Sequence, residues 1–163
     1  MKIQIKLNDG RVMNATLDEK NAPITVANFA NLIEKNFFAG LIFHRVIPNF
    51  MIQGGGMDVS LNQKDAKSIK GEFRSNGVAN PIEHKKGTLS MARTQVKDSA
   101  SSQFFICVAD TKFLDGEYAA FGQLSDEESL KVADDISKVK TVSVSYFDDV
   151  PYTPIVIETI TKL

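Results

Sequence analysis

The residue types that most often carry chemistry are sparse in this sequence and badly spaced for it. Its two histidines, His44 and His84, stand forty residues apart with one cysteine and no paired spacing, so no metal site is expected. Cys107 sits inside Phe104-Phe105-Ile106-Cys107-Val108, where a thiol serves as a small buried apolar residue rather than a nucleophile. Gly54-Gly55-Gly56 is not followed by Gly-Lys-Ser/Thr and lies in no strand-turn-helix unit, so it reads as a strand end that needs an unhindered backbone. No Gly-x-Ser-x-Gly elbow occurs. Covalent, hydrolytic, redox and phosphoryl chemistry lack their usual parts, and neither a cofactor nor a metal is expected.

What remains is Phe43-His44-Arg45-Val46-Ile47-Pro48-Asn49-Phe50-Met51-Ile52-Gln53. Strand alternation puts Arg45 on one side with Phe43 and Ile47, and Phe50, Met51 and Gln53 follow within a turn. An arginine beside aromatic and thioether surface, with an amide nearby, can hold a polar group against an apolar pocket. Taken alone, the segment reads more readily as structure, with Arg45 paired to a surface carboxylate and Phe50 in the core, because structural pairs outnumber sites.

Several elements must position these side chains. Ile3, Ile5 and Leu7 alternate with polar residues, Asn8-Asp9-Gly10 supplies a turn, and Val12 to Leu17 returns, which predicts an opening β-hairpin. Pro23 suits a first helical turn, and Val26, Phe29, Ala30 and Ile33 mark one amphipathic helix ending near Asn36. Short β-rich runs follow at 41–46, 50–53, 88–92, 103–109, 119–124 and 154–161. The polar stretch 54–87 is expected to be a surface excursion carrying part of a binding site. A second helix is predicted from Ser125, with Ser125 and Glu128 as a capping box and Leu130, Ala133, Ile136 and Val139 as its buried stripe. About eight strands with two helices point to a mainly β fold, a closed eight-stranded antiparallel β-barrel capped by two α-helices, since closure removes exposed edges.

Composition agrees. The 163 residues suit one domain, 1–163, expected to leave about 8,000 Å² exposed. Nineteen Lys and Arg against twenty Asp and Glu give a net charge of −1, with no cationic excess to drive nucleic-acid binding. No segment is apolar enough to span a membrane, and the alternating start is unlike a secretory signal, so the expected compartment is a reducing cytoplasm.

The Arg45 segment, together with Gly87-Thr88-Leu89-Ser90-Met91-Ala92-Arg93, Ser101-Ser102-Gln103-Phe104-Phe105-Ile106, Phe113-Leu114-Asp115-Gly116 and Phe121-Gly122, resembles the cyclophilin family of peptidyl-prolyl cis-trans isomerases. The motifs stand in family order from the first hairpin to the last strand, and look most like the short, single-domain bacterial members. The resemblance implies a barrel of eight strands with two helices and an enzyme that turns X–Pro bonds in peptides and folding proteins. It implies that Arg45 is catalytic, that Phe50, Met51, Phe105 and Leu114 hold the proline ring, and that Gln53 helps fix the substrate carbonyl. Ala92, Arg93 and Gln103 match the groove for residues before proline, with the backbone at 93 pairing to peptide backbone. His44 is expected to point away from Arg45.

The sequence departs from the family pattern at four places. Phe113 stands for a frequent tryptophan, Tyr118 for a pocket histidine, Arg93 for a frequent asparagine and Asn49 for a glycine. Phe113 and Tyr118 keep an apolar wall, but loss of the indole donor implies only weak binding of cyclosporin. A monomer without nucleic-acid or membrane partners is expected. A proline-peptide-binding chaperone module with incidental isomerase activity is the alternative, and a ligand-carrying barrel is disfavoured because eight strands leave room only for packed side chains.

Overall fold

A computed structural model describes all residues, Met1–Leu163. Strands β1 (Lys2–Leu7) and β2 (Val12–Leu17) form the expected hairpin, with Gly10 alone taking the positive φ, 95°, that the turn demands. Helix α1 (Pro23–Glu34) buries Val26, Phe29, Ala30 and Ile33, as their spacing predicts. Strands β3 (Arg45–Ile47), β4 (Met51–Gly54), β5 (Thr88–Met91), β6 (Phe104–Cys107) and β7 (Ala120–Leu124) precede helix α2 (Glu127–Ser137). Strands β8 (Thr141–Val144), β9 (Phe147–Pro151) and β10 (Ile157–Lys162) complete the chain.

Eight strands form one antiparallel sheet in the order β10-β1-β2-β7-β5-β6-β4-β3, while β8 and β9 pair separately. The sheet curls into a half-barrel whose closure is loose. Its edge strands, β3 and β10, share no ladder; the chain just before each makes the seam. Phe43 N donates to Ile155 O at 3.0 Å, Ile157 N to Leu41 O at 2.8 Å, and Ile42 bridges Val156. Inside, Phe29 meets Phe38, Phe104 and Phe121 at centroid distances of 4.9, 5.3 and 5.1 Å, so the interior is packed and the function must sit outside it. The accessible surface, 8038 Å², is what a compact chain of this mass should expose.

Three local expectations are corrected. The cap of α2 is Asp126, whose carboxylate accepts from Ser129 N at 2.7 Å; Ser125 instead turns its hydroxyl to Thr16, 3.3 Å away. The buried face of α2 is Ser129, Val132, Ala133, Ile136 and Ser137, with Leu130 and Val139 half-buried at its margin. The hairpin β8–β9 has no counterpart in the predicted runs; it packs beside β3 and turns at Ser145, φ 55°.

The stretch 54–87 is mostly scaffold. Glu72, fully buried, accepts from Ile24 N at 3.2 Å and from both Thr25 N and Thr25 Oγ1 at 2.6 Å, satisfying the first turn of α1, where Ala22 offers no side-chain cap. Asn80 Nδ2 donates to Glu72 O and Ala120 O, both at 2.9 Å, tying the excursion to β7.

Candidate active site

On the outer face of the sheet, Arg45 and Gln53 stand directly opposite in the β3–β4 register, and Gln53 in turn faces Phe105 on β6. The turn joining β3 to β4 holds Asn49 at φ 60°, a conformation that asparagine tolerates and glycine favours, which explains why the family's glycine can be replaced here. Arg45 Nη1 donates to Gln53 Oε1 at 3.3 Å, and Gln53 Nε2 donates to Gln103 Oε1 at 3.0 Å. This chain of polar groups runs along the rim of an apolar hollow.

That hollow is a cavity of about 180 Å³ lined by Arg45, Phe50, Met51, Gln53, Ala92, Arg93, Phe105, Leu114 and Tyr118. Met51, Phe105, Cys107 and Leu114 form a small apolar cluster of their own, separate from the barrel core, against which Ile47, Phe50, Ala92 and Tyr118 pack. Sequence-distant residues thus converge on one pocket. Gln103 does not line it but borders a polar cavity of about 200 Å³ that shares Gln53, Ala92 and Arg93 with the first. Phe113 is not in the lining either; it stands 72% exposed at the rim, with its ring 5.8 Å from that of Phe50.

One side chain departs from the expected alternation and its neighbour keeps to it. Phe43 lies in the barrel core rather than beside Arg45, because the extended chain at 41–43 pairs with 155–157 across the seam and regular β3 begins only at Arg45. His44 turns inward while Arg45 is exposed, as expected; it lies edge-on to Phe147 of β9 at 6.3 Å, and its Nδ1 has no partner. Burial, aided by the Arg45 charge, holds its pKa down at about 4.

The stretch 54–87 supplies no residue to the apolar cavity and only Gln63 to its polar neighbour. Its more telling contribution is His84, which is 1% exposed. His84 Nδ1 lies 3.0 Å from Asp115 Oδ1, Nε2 lies 2.8 Å from Ser90 Oγ, and the ring stacks on Phe105 at 6.0 Å and 18°. Asp115 also accepts from His84 N at 2.6 Å, which pins the 3₁₀ turn Lys112–Leu114 under the cavity. Burial depresses the His84 pKa while Asp115 opposes it. Asp115 belongs to the Phe113-Leu114-Asp115-Gly116 motif, yet only the fold brings it to His84. Cys107, beneath the same floor, has its pKa pushed up to about 11 by burial and is a packing residue.

The triglycine has a structural explanation. A Cβ on Gly56 would sit 2.3 Å from Gln103 Cγ, so the bare backbone there is what lets Gln103 reach Gln53.

Such a sheet with an arginine-rimmed apolar hollow defines a class of fold and site that comparison identifies. Residues 2–162 match the family described as cyclophilin type peptidyl-prolyl cis-trans isomerase/CLD. The chain is 46% identical over 147 residues to peptidyl-prolyl cis-trans isomerase A of Dickeya dadantii, covering 87% of this chain and 74% of that protein. It is 42% identical over 163 residues to peptidyl-prolyl cis-trans isomerase B of Escherichia coli, covering 94% of each. Among solved structures, a Cryptosporidium parvum cyclophilin type peptidyl-prolyl cis-trans isomerase in the presence of the dipeptide Ala-Pro superposes with a TM-score of 0.79, at 25% identity, over 100% of this chain and 99% of that one. The chain belongs to the cyclophilin-type peptidyl-prolyl cis-trans isomerases.

Proposed function

We propose that the apolar cavity beside Arg45 takes the proline ring of a peptide or folding protein, and that Arg45 lowers the barrier to rotation of the preceding bond without forming a covalent intermediate. The observation that carries this reading is the guanidinium at the rim of a pocket walled by Phe50, Met51, Phe105, Leu114 and Tyr118.

Rotation about X–Pro has a barrier of about 18–20 kcal/mol and takes roughly tens to hundreds of seconds unaided. Bringing it to about milliseconds removes around 7 kcal/mol, at about 1.36 kcal/mol per tenfold. Halfway round, amide resonance is lost and the proline nitrogen gains a lone pair that a fixed donor can reach. A donor that meets it only there lowers the barrier, whereas burying the ring equally in every state improves affinity alone. A guanidinium is a planar cation with several N–H donors, and the single bond from Arg45 to Gln53 leaves its other N–H groups unspent. One preorganised donor is worth about 2.7–4 kcal/mol by analogy with oxyanion sites. Clamping of the ring and a bond from the second N–H of Gln53 Nε2 to the carbonyl supply the rest.

Residues before proline would run along the polar cavity bordered by Gln103 and Ala92. The backbone N–H of Arg93 donates to no other group of the protein, which suits pairing with peptide backbone. Cis-trans exchange spectroscopy on a short Ala-Pro peptide, with the wild type and Arg45→Ala, tests this reading: faster exchange with the wild type and loss of it in the variant are expected. Equal exchange with both would favour the alternative of a peptide-binding module.

A further inference from the structure

The second arginine of the cavity is held quite differently from the first. Arg93 Cζ lies 4.7 Å from the ring centroid of Phe73 and 4.7 Å from that of Tyr118. Its Nε and Nη2 donate to the main-chain oxygen of Glu117 at 3.2 and 2.7 Å, and Nη1 donates to Thr94 O at 2.9 Å. The Glu117 carboxylate is not its partner, since that group accepts from Ser75 Oγ at 2.9 Å.

These contacts join three separate pieces of chain. Phe73 is fully buried in the barrel core, so one ring is an anchor. Tyr118 is half-buried and meets Phe105 edge-on at 5.9 Å, so the other ring is part of the cavity wall. Glu117 and Thr94 belong to the two loops that flank the wall. A planar fork satisfies this geometry, stacking on rings while its edges donate in plane; an ammonium cannot. The same bonds use the donor edges that an incoming carboxylate would need for a bidentate pair.

We infer that Arg93 is a positioning residue: it fixes Tyr118 as a wall of the proline pocket and withholds its charge from the substrate, so that the residue before proline is not selected for being acidic. Two departures from the family pattern, at 93 and 118, are then one feature, a stacked pair. The inference rests on reading the cavity as the proline site.

The test compares three tetrapeptides that differ only in the residue before proline, alanine, glutamate or lysine, with the wild type, Arg93→Lys and Arg93→Gln. Exchange rates are read at low and high salt, because a free cation acting on an acidic residue is screened. For the wild type, kcat/KM for the glutamate and alanine peptides is expected to agree within about fivefold at both salt levels. Both variants are expected to raise KM about five- to tenfold for all three peptides with kcat changed less than about twofold, and to shift the Tyr118 ring signals in the NMR spectrum. Preference for the glutamate peptide above about fivefold, retained by Arg93→Lys and lost in Arg93→Gln, would overturn the inference, as would unchanged KM and ring signals in both variants. Should the wild type turn over none of the peptides, the reading of the cavity fails instead, and the Tyr118 signals still decide whether Arg93 positions that ring.

Discussion

Arg45 and Gln53 are cross-strand partners whose side chains touch, Nη1 to Oε1 at 3.3 Å, and Gln53 passes the contact on to Gln103 at 3.0 Å. The guanidinium is therefore aimed by an amide that is itself aimed by a second amide. Preorganisation of this kind is what the donor role proposed for Arg45 requires, since a donor already in place need not be ordered at the moment of rotation.

Gly56→Ala tests the far end of that chain. The added Cβ must displace Gln103 Cγ, which lies 2.3 Å from it, while the backbone stays put. The expected result is a folded protein whose kcat/KM falls about tenfold, to the level of Gln103→Ala, as about one hydrogen bond of positioning is lost. Steady-state exchange rates of the two variants, alone and combined, check whether they act through one contact.

Phe113 lacks an N–H donor and stands outside the cavity lining. Cyclosporin is expected to bind the wild type weakly, and Phe113→Trp to bind it about tenfold more tightly, about the worth of one hydrogen bond. Turnover of a short peptide is expected to change less than about twofold, because the ring is at the rim and not in the pocket. Direct calorimetric titration of both proteins measures this; tight binding by the wild type would contradict it.

His44 makes stability fall on the acid side. It is buried and neutral with a pKa of about 4, whereas an unfolded histidine titrates near 6.5, so from about pH 6.5 downward the unfolded chain binds a proton that the native one refuses. Stability contributed at neutral pH is lost progressively as pH falls toward 4. His84, also depressed by burial, acts in the same direction. His44→Phe, which also removes an unpartnered Nδ1, is expected to match or exceed wild-type stability at pH 7 and to lose about 1–2 kcal/mol less between pH 6.5 and 5. Urea midpoints across that range, above the carboxylate titrations, check it.

Local signals carry far in this chain. Pro23 and the spacing of Val26, Phe29, Ala30 and Ile33 mark α1, and the residues around Arg45, Phe105 and Leu114, singled out through family likeness, line one cavity, the candidate site. What escapes a reading of the sequence is fixed by contacts between distant residues. Glu72 caps α1 from forty-seven residues away, and His84 finds Asp115 thirty-one residues on, so no local pattern announces either. Phe43 changes side because the seam with 155–157 overrides strand alternation. The β8–β9 hairpin turns at Ser145-Tyr146, which lacks the Asn-Gly or Asp-Gly pair of common tight turns, and its short strands bury only Val150 and Pro151, so the brief alternation at Val142-Ser143-Val144 is too short to announce a strand. Asp126 rather than Ser125 caps α2, a one-residue ambiguity that any Ser-Asp pair ahead of a helix carries.

The central claim is that Arg45 acts on the rotating bond and not on the resting peptide. The decisive measurement is kcat for cis-trans exchange beside peptide Kd, in the wild type, Arg45→Ala and Arg45→Lys. The account predicts that both variants lose about 10²–10³-fold in kcat, the worth of one preorganised donor, while Kd changes less than about threefold. Near-normal kcat in purified, folded Arg45→Ala, or a loss confined to Kd, would contradict it.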